Sequence, residues 1–137
     1  MRIRDLQDRT GGFRAFIPWS FQANHTKLDF KAQSGPDYLR MVSMARLVLD
    51  NIPHIQAGWV TEGPDLAQLA LLCGADDFGG VLMEEKVVKA TGIDHGMTVE
   101  QMKRLIRGAG LIPARRNTLY DILSVDDDPC VVSANEC

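Results

Sequence analysis

Hydrophobic and polar positions follow two rhythms along this chain. Over residues 36–51, "PDYLRMVSMARLVLDN", polar side chains return every third or fourth position at Asp37, Arg40, Ser43, Arg46 and Asp50. Tyr38, Met41, Val42, Ala45, Val48 and Leu49 fill the opposite side, the period of an amphipathic helix with one solvated stripe. Pro36 stands where a proline opens a helix. A second helix is predicted over 62–74, "EGPDLAQLALLCG", with Pro64 just inside its start and Gly74 just past its end. A third, over 97–110, carries a capping box at Thr98 and Gln101, with Met97 and Met102 as the accompanying staple. Residues 3–9 read as the last turns of a further helix, terminated by Gly11 and Gly12.

The segments between these helices are short and apolar. "FRAFIPW" (13–19), "HIQAGWV" (54–60) and "DDFGGVL" (76–82) are predicted strands; Pro18 stops ladder pairing in the first, and glycines break the third. A strand–helix order repeated three times predicts an α/β fold of parallel strands joined by right-handed crossovers. Helices on both sheet faces explain why the strands are apolar runs rather than alternating ones. Periodicity is lost after Leu123, so 1–123 is expected to be the folded part and 124–137 an irregular tail.

In folds of this kind the loops leaving the C-terminal strand ends build the active site. Three loops qualify and should share one sheet edge: "SFQANHT" (20–26), "TEGP" (61–64) and "GGVLMEE" (79–85). A polar loop on a pocket wall would explain why "GGFRAFIPWSFQANHT" turns from aromatic to hydrogen-bonding residues. Gln22, Asn24, His25 and Thr26 could bind a polar small molecule or cap the loop. Gln56, inside an apolar strand, needs partners if buried, from a substrate or from the core. Trp59 could stack on a flat ring or pack under a helix. Gly79 and Gly80, after Asp76 and Asp77, admit close approach of a ligand or form a bulge. Of the adjacent Glu84 and Glu85 only one would face the pocket, to bind ribose hydroxyls or act as a base; the alternative is a helix N-terminus. Arg115 and Arg116 could offer a guanidinium fork to a carboxylate or be surface charge.

Composition narrows the function classes. The 137 residues, 45% of them apolar, suit one domain or part of a larger one. A net charge of −3 with no basic stripe argues against nucleic acid. Cys73, Cys130 and Cys137 are too widely spaced for a zinc or redox pair; Cys73 reads as a buried thiol, and the compartment as reducing and cytoplasmic. No apolar run approaches the roughly 20 residues that span a bilayer, and no signal peptide is visible. Phosphate loops, dinucleotide fingerprints, catalytic triads and metal-ligand clusters are missing from the sequence.

Four blocks carry a family resemblance: "LQDRTGGFRAFIPWSFQ", "DNIPHIQAGWVTEGP", "GADDFGGVLMEEKVV" and "IPARRNTLY". Together they resemble the C-terminal portion of radical S-adenosylmethionine enzymes, above all the cyclic dehypoxanthine futalosine synthases of menaquinone biosynthesis. Aminofutalosine synthases and FO synthases are similar relatives. The resemblance implies the C-terminal part of a TIM-type (β/α)8 barrel. It implies a 4Fe-4S cluster that cleaves S-adenosylmethionine, and a radical that abstracts hydrogen from the ribose of a nucleoside-like substrate. Gln22, Gln56, Trp59, Asp77, Gly79, Gly80, Glu84 and Arg116 would line the S-adenosylmethionine and substrate pocket. The cluster needs a Cys-x3-Cys-x2-Cys pattern that this sequence lacks, so the chain alone is expected to bind no metal and to be inactive. The partial first helix suggests a chain that starts mid-domain. Its open edges would then be covered by the missing N-terminal half of the barrel or by self-association. A non-catalytic half-barrel that binds a ligand or a partner chain is the alternative.

Overall fold

The computed structural model describes residues 2–21, 33–81 and 96–126. Its helices start where local chemistry says they should. Helix α1 runs Arg2–Thr10. Helix α2, Gly35–Val48, is capped by Ser34, whose hydroxyl accepts the Asp37 N–H and donates to the Asp37 carboxylate at 2.6 Å.

The first strand, β1, is Ala15–Phe16. It pairs in parallel with β2, His54–Ile55, in the register Ala15–His54 and Phe16–Ile55. Gln56 then bridges Asp77, again in parallel. The Gln56 N–H donates to the Phe16 carbonyl at 3.0 Å and the Ala57 N–H to the Asp77 carbonyl at 2.8 Å. Three parallel segments therefore lie side by side, as the helix–strand alternation predicts.

All three segments are shorter than predicted. Pro18, with no N–H to donate, follows closely on the end of β1. In the second segment the Gly58 N–H donates to the Tyr38 phenol at 2.8 Å instead of to a neighbouring strand. The chain then turns into the short helix α3, Trp59–Glu62, so Trp59 and Val60 are helical and not extended. Gly63, at φ 86°, separates α3 from α4, Pro64–Leu72. Among the described residues the third segment pairs only at Asp77 before Gly79 adopts φ 79°.

The polar stripe assigned to α2 also needs correction. Ser43 and Arg46 are only partly solvated: the Ser43 hydroxyl donates to the Cys73 carbonyl at 3.0 Å and Arg46 Nε to the Gly74 carbonyl at 2.7 Å. The turn after α4 leaves carbonyls without partners, and these two side chains meet them. Met44 and Leu47 face outward instead, Leu47 being 80% exposed. Cys73 is half-buried against the core.

Helix α5, Val99–Gly108, has the predicted capping box: the Thr98 N–H donates to Gln101 Oε1 at 2.8 Å and Thr98 Oγ1 accepts the Gln101 N–H at 3.2 Å. Met97 is buried and Met102 packs on the core. After α5 comes an antiparallel hairpin that the sequence did not announce, β3 (Ala114–Arg116) and β4 (Ile122–Val125). Ser124 and Val125, placed in an irregular tail above, belong to β4. Asp126 ties this end to α5 through Lys103 at 2.8 Å and Arg107 at 2.9 Å.

The core lies between the parallel segments and α2, α3 and α4. Tyr38, Val42, Ile52, Ile55, Ala57, Trp59, Ala67, Ala70 and Phe78 are buried there. Tyr38 is apolar packing with a polar tip: its phenol is the partner of the buried Gly58 N–H. Tyr38→Phe is expected to cost about 1–2 kcal/mol in urea unfolding, because that N–H is left unsatisfied. An unchanged unfolding midpoint would show that the bond contributes nothing.

Candidate pocket edge and its polar cluster

Parallel pairing sends the three chain exits to one sheet edge: 17–21 after β1, 57–63 after β2 and 78–81 after Asp77. The first two exits are joined. The Ser20 N–H donates to Glu62 Oε1 at 3.1 Å, and the Thr61 hydroxyl reaches the same oxygen at 3.2 Å. A cavity of about 270 Å³ lies beside the first exit, between Phe16–Ser20 and Gln33, Tyr38 and Met41.

Strand alternation separates two faces. Ile55, Ala57 and Phe78 enter the core. His54, Gln56, Asp77 and Gly79 therefore occupy the other face, which is polar. The hairpin folds back onto it. Arg116 grips Asp77 with a fork, Nε to Oδ1 at 3.0 Å and Nη2 to Oδ2 at 2.6 Å, while Nη1 donates to the Asn117 carbonyl. The Tyr120 hydroxyl donates to Asp77 Oδ2 at 3.3 Å. The Arg116 guanidinium lies 4.0 Å from the Tyr120 ring centre, and the same ring stacks on His54 at 4.1 Å and 8°. His54 Nδ1 is 2.7 Å from Asp76 Oδ2, and Arg46 Nη2 is 2.6 Å from Asp76 Oδ1. Tyr120 holds φ 70°, a conformation a bulky residue keeps only when its surroundings enforce it.

Charge states follow from these contacts. The hydrogen bond to Asp77 raises Arg116 above its ordinary value against the opposing effect of burial. Burial and the Asp77 charge push Tyr120 up. Burial alone would raise Asp76, but the Ile55 N–H, the His54 ring and the Arg46 guanidinium outweigh it and hold the carboxyl below 3.8. Asp126 is lowered by its hydrogen bond to Lys103. A carboxyl depressed in the folded state stabilises above its unfolded value and loses that contribution as pH falls through the folded one. The melting temperature is therefore expected to drop as pH falls below 3.8. Asp76→Asn should start lower and fall less steeply; parallel curves for the two proteins would contradict the role given to Asp76.

The structure brings together Gln56, Asp77, Gly79 and Arg116. The Gly79 N–H donates to Asp77 Oδ1 at 3.1 Å, and a Cβ on Gly79 would stand 2.8 Å from Gln56 Nε2. Gly80 follows, exposed. Trp59 lies in the core at 3% exposure, the packing role that its sequence context left open. Arg116, read as a fork for a carboxylate or as surface charge, holds the carboxylate of Asp77, while Arg115 is exposed. Gln22, Asn24, His25, Thr26, Glu84 and Glu85 lie outside the described residues. Sequence reasoning missed His54 and Tyr120. His54 had a signal, two positions before Gln56 on the same strand face. Tyr120 had none, because only the hairpin brings it there.

Among the described residues no three of His, Cys, Asp and Glu are grouped to hold a metal ion, and no helix is long and apolar enough to cross a membrane. Cysteine supplies the ligands of an iron–sulfur cluster. Cys73, against the core at the end of α4, is the only one among the described residues, so this donor set does not fit a cluster.

Comparison with known proteins follows the same blocks. A family described as "CofH/MqnC C-terminal region" matches residues 10–128. The cyclic dehypoxanthine futalosine synthase of Streptomyces coelicolor is 48% identical over 93% of this chain and 32% of its own length. The aminodeoxyfutalosine synthase of Thermus thermophilus is 42% identical over 92% of this chain and 36% of its own. The 5-amino-6-(D-ribitylamino)uracil–L-tyrosine 4-hydroxyphenyl transferase of Methanocaldococcus jannaschii is 39% identical over 88% and 36%. The chain thus spans about a third of the length of these curated relatives. With parallel segments, shared edge and sequence blocks in agreement, the chain belongs to the CofH/MqnC C-terminal region family.

Proposed function

We propose that this chain is the C-terminal sector of a (β/α)8 barrel that works as a cyclic dehypoxanthine futalosine synthase in menaquinone biosynthesis. The observation that carries the reading is the similarity to the futalosine cyclase along nearly the whole chain, on a parallel sheet whose exits share one edge. In this reading Gln56, Gly79 and Gly80 form the part of the pocket seen here, and Gln22 and Glu84 extend it. The Gln56 carboxamide offers a donor and an acceptor to a nucleoside-like ligand. The two glycines let that ligand approach the backbone. Trp59 supports the second exit from below by packing. Asp77 and Arg116 stand behind the rim as a mutual brace. Radical cleavage of S-adenosylmethionine at a 4Fe-4S cluster supplies the oxidising power in such enzymes, and its cysteines belong to another part of the barrel.

The same reading explains exposed apolar surface. Phe13, Ile17, Trp19 and Phe21 are all more than a third exposed along β1 and its continuation. Among the described residues the far edge of β1 carries no partner strand. The preceding barrel strands would cover both. Expressed alone, the 137-residue chain is expected to run as a dimer or larger species in size-exclusion chromatography with light scattering; a clean monomer at micromolar concentration would count against this.

The functional test is a hybrid enzyme. Residues 10–126 replace the matching third of the Streptomyces coelicolor cyclase, which is then reconstituted anaerobically. The hybrid should convert dehypoxanthine futalosine and release 5′-deoxyadenosine. A folded hybrid that instead joins tyrosine-derived hydroxyphenyl to ribitylaminouracil, or does neither, would overturn the assignment.

A further inference from the structure

We propose that Arg116 is a positioning residue for the pocket edge: through the Asp77 carboxylate it holds the Gly79 turn against Gln56. This rests on reading that edge as part of the cyclase pocket.

The chain of contacts is continuous. Arg116 takes both Asp77 oxygens in a planar fork, which fixes the carboxylate in orientation as well as position. Oδ1, so oriented, accepts the Gly79 N–H two residues on. That bond closes the turn in which Gly79 reaches φ 79° and faces the end of the Gln56 side chain. Among the described residues the turn has little else to set it: there Asp77 pairs only through the bridge to Gln56, and Gly80 and Val81 beyond it are exposed. A glycine pair carries the highest conformational entropy the backbone allows, so an unbraced rim would sample many shapes.

The brace is itself braced. Tyr120 packs its ring under the Arg116 guanidinium and gives its hydroxyl to Asp77, while His54 stacks on the ring. A hairpin 39 residues downstream of Asp77 thus reaches back to the strand end that shapes the edge. Lysine could supply the charge at position 116 but not the fork.

Two measurements test this. In the 137-residue chain, amide exchange by NMR is read for Gly79, with Val42 and Ala70 as core references. Arg116→Gln is expected to speed Gly79 exchange about tenfold or more beyond whatever change the two references share through global stability. Arg116→Lys should fall between wild type and Arg116→Gln, and it decides the question by the same readout if the glutamine variant does not fold. In the hybrid cyclase, Arg116→Lys is expected to raise KM for S-adenosylmethionine or dehypoxanthine futalosine about tenfold, with kcat changed about twofold or less. Unchanged Gly79 exchange, or unchanged KM in an active hybrid, would overturn the proposal. A hybrid inactive before any substitution would count against the cyclase reading, and Gly79 exchange would then decide the role of Arg116.

Discussion

Ile55→Ala is expected to destabilise the fold by about 2–5 kcal/mol, the range for truncating a fully buried aliphatic side chain. Ile55 is 0% exposed and sits where sheet and helices meet. Its backbone works as hard as its side chain: the N–H donates to Asp76 Oδ1 at 2.7 Å, and the carbonyl accepts from the Asp76 N–H at 3.0 Å. A cavity here would loosen β2 and the segment that carries Asp77. Leu47→Ala is the control. Leu47 has the same number of side-chain carbons but is 80% exposed, so its change should stay within about 0.5 kcal/mol. Equal losses for the two variants in urea unfolding would contradict the placement of the core.

Asp77→Asn carries the second large effect. The Asp77 side chain is 9% exposed and that of Arg116 23%. Removing one partner of a buried ion pair costs about 3–5 kcal/mol, mostly because the other charge is stranded. Access of water to Arg116 lowers the expected loss to about 2–3 kcal/mol. The double variant Asp77→Asn, Arg116→Gln should lose less than the sum of the two single variants, since it strands no charge. Simple additivity would show that the pair is not coupled. The loss should also be felt at Tyr120, whose hydroxyl and strained backbone depend on the same carboxylate.

How much of this could be read beforehand varied with the range of the interactions involved. The helices were legible because their signals are local. Ser34, Pro36, Pro64 and the Thr98–Gln101 box act within one turn of the residues they organise. Parallel pairing was legible from element order, since short apolar runs separated by helices leave few other topologies. Strand lengths were not. Whether "HIQAGWV" stays extended depends on where the Gly58 N–H goes, and its partner, Tyr38, is 20 residues away. The hairpin was also hidden. Arg116 and Tyr120 look like surface residues until Asp77, His54 and the turn between β3 and β4 are placed together. Asp77, Gly79, Gln56 and Arg116 could be nominated singly from their chemistry, but their roles as brace and braced needed distances.

The position of the ligand is what the whole reading turns on. A crystal structure of the hybrid cyclase with S-adenosylmethionine and dehypoxanthine futalosine bound would measure it directly. Ligand density in contact with Gln56 and the Gly79–Gly80 backbone, at the edge where the parallel segments end, is the expected result. Both ligands seated at the opposite strand ends, beside His54, or in the cavity by Tyr38 and Met41, would contradict it.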